Sequence, residues 1–136
     1  MLKKITLLVL SLGLFTACEI GHEASSTCPV VIGAPTSFVV GPNVTQVNVP
    51  VTLEVSYKTK TKCGEFVSFH TASSSGPLSN IITVNTTYDA CKCNEDEIET
   101  VEKQNYTFKK STPGLYVLKF KQTNDLYVVH NITVEE

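Results

Sequence analysis

Apolar and polar residues alternate along most of the chain after residue 28. Val49, Val51, Leu53, Val55 and Tyr57 are separated by Pro50, Thr52, Glu54 and Ser56. Tyr116, Leu118 and Phe120 alternate with Val117, Lys119 and Lys121, and Val128, His130, Ile132 and Val134 form a similar set. A period of two places alternate side chains on opposite faces of a strand, one toward a core and one toward water. Ile82, Val84 and Tyr88 are spaced by even intervals, as are Tyr106 and Phe108, while residues 30–40 and 64–71 are rougher candidates. The pattern predicts strands over 30–40, 48–58, 65–71, 80–89, 98–110, 114–122 and 126–134. No window has a sustained helical period, although residues 95–104 have room for a turn or two of helix. Gly41-Pro42-Asn43, Ser75-Gly76-Pro77, Thr112-Pro113-Gly114 and Asn124-Asp125 punctuate the strands with turn chemistry.

The first residues follow a different pattern. Met1-Leu2-Lys3-Lys4 is positively charged, residues 5–15 are apolar except for Thr6, Ser11 and Gly13, and Thr16-Ala17 are small. This is the layout of a secretory signal peptide, and its apolar run is shorter than the ~20 residues a spanning helix needs. Residues 1–17 are therefore read as a leader. Residues 18–27, polar and rich in small side chains, are read as a tether, and residues 28–136 as one domain.

Phe15-Thr16-Ala17-Cys18 resembles the lipobox of bacterial lipoproteins, with Phe15 standing where an aliphatic residue is usual. The resemblance implies that Cys18 is diacylated on sulfur and becomes the mature N-terminus. Two or three acyl chains anchor stably where one does not, because each buried methylene contributes ~0.8 kcal/mol. Glu19 and Glu23 resemble the acidic signals that follow the lipidated cysteine in surface-exposed Bacteroidetes lipoproteins. The expected location is the bacterial cell envelope, at the outer membrane or cell surface, with the membrane as a partner through the lipid.

About seven short strands in roughly a hundred residues match the pattern of an antiparallel immunoglobulin-like β-sandwich. Pro113-Gly114-Leu115-Tyr116 resembles the bend before the sixth strand of such domains. That resemblance implies that the Tyr116 hydroxyl hydrogen-bonds back to nearby backbone. The family's buried tryptophan is missing, since the chain has no Trp. The likeness concerns architecture and carries no activity.

The chain has 5 cysteines, and setting Cys18 aside leaves an even set of Cys28, Cys63, Cys91 and Cys93. If successive strands alternate in direction, all four converge on one pole of the sandwich. Export places them in an oxidising compartment, where two disulfides are the expected outcome. Cys91 and Cys93 would each take one of Cys28 and Cys63, in an order the spacing leaves open. The alternative is a metal-handling lipoprotein that binds zinc or copper(I) through these four thiolates. Against it stand the lack of a second close Cys pair and of any methionine besides Met1.

Charge and motifs narrow the functional classes. The chain carries 11 basic and 13 acidic residues, and every basic residue is lysine. Without Lys3 and Lys4 the remainder has 9 lysines against 13 acids, a net charge of −4. With neither arginine nor a basic stripe, nucleic acid is not an expected partner. Asn94-Glu95-Asp96-Glu97 and Glu99 lack the spacing of a calcium loop and are read as a solvated acidic segment. His70 and His130 are read as half-buried strand residues with satisfied hydrogen bonds. No nucleophile elbow, P-loop, dinucleotide fingerprint or His-Glu-x-x-His occurs, so no catalytic residue, metal site or cofactor is assigned. The triplets beginning at Asn43, Asn85, Asn105 and Asn131 are read as strand and turn residues. The expected function is a non-enzymatic binding or structural module for a protein, glycan or envelope component. Its binding surface is expected in the loops of the cysteine pole.

Overall fold

The computed structural model describes residues 28–60, 64–89, 91–93 and 98–136. Cys18, Cys63 and the segments expected to be leader and tether lie outside the described residues, as do residues 94–97 of the acidic segment. The described chain is all-β and comprises nine strands: β1 (Val30–Ala34), β2 (Thr36–Val40), β3 (Val44–Gln46), β4 (Val51–Lys60), β5 (Phe66–Ser73), β6 (Ser79–Tyr88), β7 (Glu99–Phe108), β8 (Gly114–Lys121) and β9 (Tyr127–Glu135).

Two sheets hold these strands. In the larger, β6 is flanked on one side by β5. Its C-terminal half also pairs with β1, from Ala34 opposite Val84 to Val30 opposite Tyr88. Its N-terminal half pairs with β8, from Ser79 opposite Val117 to Ile82 opposite Phe120. The sheet continues through β9 to β3. The smaller sheet has the order β2-β4-β7.

Four features depart from the sequence expectation. The first expected strand, 30–40, divides at Pro35, which has no N–H to give a ladder. The Pro35 carbonyl accepts a hydrogen bond from the Lys58 backbone N–H at 2.9 Å, so the chain changes sheets there with β1 in one and β2 in the other. Secondly, a short strand, β3, follows the Gly41-Pro42-Asn43 turn. Gly41 is required at that turn, because an added Cβ would stand 2.4 Å from Leu53 Cδ2 and 3.0 Å from the Thr52 carbonyl oxygen. Thirdly, the pairing is mixed rather than antiparallel throughout, since β6 with β8 and β3 with β9 are parallel. The cause for β6 and β8 is the intervening β7, which crosses to the other sheet, so that β8 returns in the direction of β6. The turn or two of helix allowed over 95–104 is also corrected, because residues 99–104 belong to β7 and pair with β4.

The core forms where the period-two faces meet. Leu53, Val55 and Tyr57 of β4, Ile82 and Val84 of β6, Leu118 and Phe120 of β8, and Ile132 and Val134 of β9 are all buried. Val49, the first apolar residue of the β4 pattern, lies before the strand and is exposed. A run of ring contacts links the layers. Tyr57 meets Phe66, Phe66 meets Phe69 at 5.1 Å, Phe69 meets Tyr106 at 5.2 Å, and Tyr106 meets Phe120 at 5.6 Å. Tilted and edge-on pairs of this kind contribute ~0.5–1.5 kcal/mol each beyond their buried area. They tie β4 and β7 of one sheet to β5 and β8 of the other. Gly114 opens β8 at φ +149°, a conformation that L side chains rarely adopt. From there the chain turns so that the Tyr116 hydroxyl donates to the Thr112 carbonyl at 3.0 Å.

Candidate functional site

The pole at which β1 begins and β6 ends collects the chemically distinctive side chains. Antiparallel pairing of β1 with β6 places Val30 opposite Tyr88. One further step of that register brings residue 29 opposite Asp89, so Cys28 and the turn after Asp89 must meet.

Asp89 builds that turn. Its backbone carbonyl accepts the Lys92 N–H at 3.0 Å and the Cys93 N–H at 2.8 Å. Its carboxylate Oδ1 accepts the Cys91 N–H at 3.1 Å, and Oδ2 lies 3.4 Å from Lys92 Nζ. A carboxylate that bonds the backbone two residues ahead is the local competitor to continued strand that makes Asp a turn former. The ion pair to Lys92, whose side chain is largely exposed, adds little to stability.

The turn brings Cys28 Sγ, Cys91 Sγ and a carboxylate oxygen of Asp89 within 4.8 Å of one another. Cys28 is partly buried and Cys91 is exposed. The Cys28 thiol is held above its usual pKa, chiefly by a hydrogen bond with the Cys91 side chain and next by burial. Cys93 is disulfide-bonded. Cys93 therefore offers no thiolate to a four-cysteine metal site. Among the described residues, the donors that meet are two sulfurs and one carboxylate. Asp89 was not singled out in the sequence, although Asp two residues before Cys91 is the spacing of a side-chain-to-backbone turn.

Beside this cluster, between the two sheets, lies a cleft of about 190 Å³ lined by Ile32, Ala34, Pro35, Thr86 and Tyr88, among others. Lys58 and Glu99 form a 2.8 Å ion pair at its edge. Pockets that enclose most of a small ligand are generally ~300 Å³ or larger, so this cleft is shallow for that role. Ile32 of its lining is exposed, and so are Val31 beside it on β1, Ile98 just before β7 at 75%, and Val101 on β7.

The two strand histidines lie apart from this pole. His130 Nε2 is 3.1 Å from the Pro42 carbonyl oxygen. His70 is exposed on β5 opposite Thr83, not half-buried as its place in the pattern suggested, because β5 is an edge strand whose second half faces solvent. Glu99 of the acidic segment is committed to Lys58. Among the described residues no helix is long and apolar enough to cross a membrane. Comparison with protein-family models, with curated proteins and with solved structures gave no match.

Proposed function

We propose that the chain is a lipid-anchored lipoprotein of the bacterial cell envelope, attached through Cys18, whose β-domain binds a protein or glycan partner without catalysing a reaction. The observation that carries the binding part is the apolar surface at the cysteine pole. Ile32 is exposed in a cleft too shallow to enclose a small ligand, and Val31, Ile98 and Val101 are exposed on or next to β1 and β7, the strands whose Ile32 and Glu99 line that cleft. Apolar side chains that group into one exposed patch mark contact sites for macromolecules. We read the domain as immunoglobulin-like in kind, a reading supported by the sheet change at Pro35 and by the Tyr116 hydrogen bond at the bend before β8.

Two experiments test the proposal. Cell fractionation with intact mass measurement compares the natural chain with Cys18→Ala. Loss of membrane association and of the acyl mass is expected, and an unchanged mass refutes the anchor. Crosslinking on intact membranes compares the natural chain with Ile98→Asp/Val101→Asp, both exposed positions that leave the core untouched. The expected result is loss of a specific crosslinked partner at unchanged expression. A partner retained by the double variant refutes the pole as the binding surface.

A second reading, metal handling, is favoured by the approach of Cys28, Asp89 and Cys91. It differs in requiring both sulfurs to be reduced.

A further inference from the structure

We infer that Cys28 and Cys91 are joined by a disulfide that ties the entry of β1 to the turn after β6. The inference deepens the proposed function, on whose export reading the oxidising compartment rests. It selects one of the two long-range pairings that spacing alone left open.

Three independent features lead to it. The β1–β6 register delivers the two residues to the same place, because each lies just beyond the last ladder pair of its own strand. The Asp89 turn then holds Cys91 in place, and the two Sγ atoms lie within 4.8 Å. Closure to the ~2.05 Å of a bond takes rotation about Cα–Cβ where the two Cβ atoms stand ~3.5–4.5 Å apart. Finally, Cys93 is already disulfide-bonded and so does not compete for Cys28.

The metal alternative uses the same atoms less well. Structural zinc sites close with four ligands, commonly sulfur and imidazole. Among the described residues three donors meet here, and both oxygens of the carboxylate already have partners, Oδ1 the Cys91 N–H and Oδ2 Lys92. Asp89 is thus a positioning residue that shapes the turn.

The bond forms by exchange with a disulfide oxidant, either a protein dithiol oxidase or oxidised glutathione. The Cys91 thiolate, the more accessible of the two, attacks one sulfur of the oxidant. A mixed disulfide forms and one oxidant thiolate leaves. The Cys28 thiolate then attacks Cys91 Sγ, forming the Cys28–Cys91 bond and displacing the second oxidant sulfur. Two protein thiols lose two electrons and two protons, and the oxidant departs as a dithiol or as two thiols.

The test takes the full chain from its membrane under alkylating conditions without reductant and maps its peptides by mass. The expected result is a linked pair containing residues 28 and 91, with neither cysteine alkylated. Alkylation of both, or a link from Cys28 to another cysteine, overturns the inference. In Cys28→Ser, one alkylated thiol at Cys91 is expected. An unlabelled Cys91 there means that it has another covalent partner and also overturns it. Zinc bound stoichiometrically, with both cysteines labelled only after chelation, would establish the metal reading instead.

The same reaction run in vitro separates this inference from the export reading. Reduced full chain is incubated with oxidised glutathione, and closure is followed by quenched mass mapping. Asp89→Ala is expected to slow closure several-fold after the mixed disulfide forms. Asp89→Asn, which keeps a side-chain oxygen for the Cys91 N–H, is expected to restore the rate. Failure of the natural chain to close in this buffer overturns the inference whatever the compartment. Closure in vitro with a reduced, cytoplasmic chain in cells would instead sink the export reading alone.

Discussion

Replacing Tyr116 by Phe removes one hydroxyl and little else. The side chain is 4% exposed, and its oxygen donates to the Thr112 carbonyl at 3.0 Å. The ring stands edge-on to Phe108 at 5.4 Å, and Lys110 Nζ lies 5.6 Å from its centre. Phe retains both ring contacts. A net hydrogen bond contributes ~0.5–1.5 kcal/mol, and the upper end requires that the abandoned partner stay dry. Thr112 is exposed, so its carbonyl recovers water, and the expected loss is about 1 kcal/mol. In a domain of this size that corresponds to a fall in Tm of about 4–8 °C. Tyr116→Ala removes the ring as well, for which a loss of ~3–5 kcal/mol is expected, as for other large aromatic truncations in cores. The assay is urea unfolding of the three proteins without reductant, with unchanged m values required before the free energies are compared. A Phe variant as stable as the natural chain would refute the hydrogen bond as a stabilising link. A Phe variant as damaged as the Ala variant would show that the hydroxyl, not the ring, organises the bend.

Other perturbations test separate parts of the structure. Thr36 is fully buried and its Oγ1 lacks a hydrogen-bond partner, so Thr36→Val should raise stability by ~1–2 kcal/mol through loss of an unsatisfied polar group; a drop in the urea midpoint refutes this. Burial, and next the charge of Glu102, hold the Tyr57 phenol above its ordinary value of 10.0. The folded state therefore favours the neutral phenol, and this contribution is intact below pH 10.0 and lost as pH rises toward the folded value. Tyr57→Phe should flatten that alkaline decline, and a phenolate titrating at or below pH 10.0 in the folded protein contradicts the burial argument. Gly114→Ala should cost ~1–3 kcal/mol, because φ is +149° and the new Cβ would stand 2.9 Å from Leu78 Cδ1; an unchanged Tm would show that the bend relaxes freely.

The local code of this chain was legible wherever one face of a strand meets the core and the other meets water. Leu53, Val55 and Tyr57, Leu118 and Phe120, and Ile132 and Val134 alternate in the sequence and are buried in the structure. The reason is that a strand's side chains alternate by covalent geometry, so burial leaves a period of two in the residues themselves. The all-β class and most strand positions follow from that signal together with the turn residues. The same signal is weak where a strand is not half-buried. Val30, Val31 and Ile32 are exposed together in β1, and β3 has only three residues, so neither stood apart as a separate element.

Partnership between strands was beyond the reach of pattern, because hydrogen-bond neighbours are chosen by the whole layer arrangement. Nothing in Ser79–Ile82 or Val117–Phe120 announces that they run parallel; that follows from β7 lying in the opposite sheet. The division at Pro35 has a local cause, but its consequence, one half-strand in each sheet, depends on Lys58 reaching the Pro35 carbonyl. The cysteines divide in the same way. Their number and the leader expected before them make pairing the expectation from residues alone. The choice of Cys91 beside Cys28 required the register of β1 on β6 and the turn that Asp89 closes, since sequence separation says nothing about which of two sulfurs two residues apart will face a third.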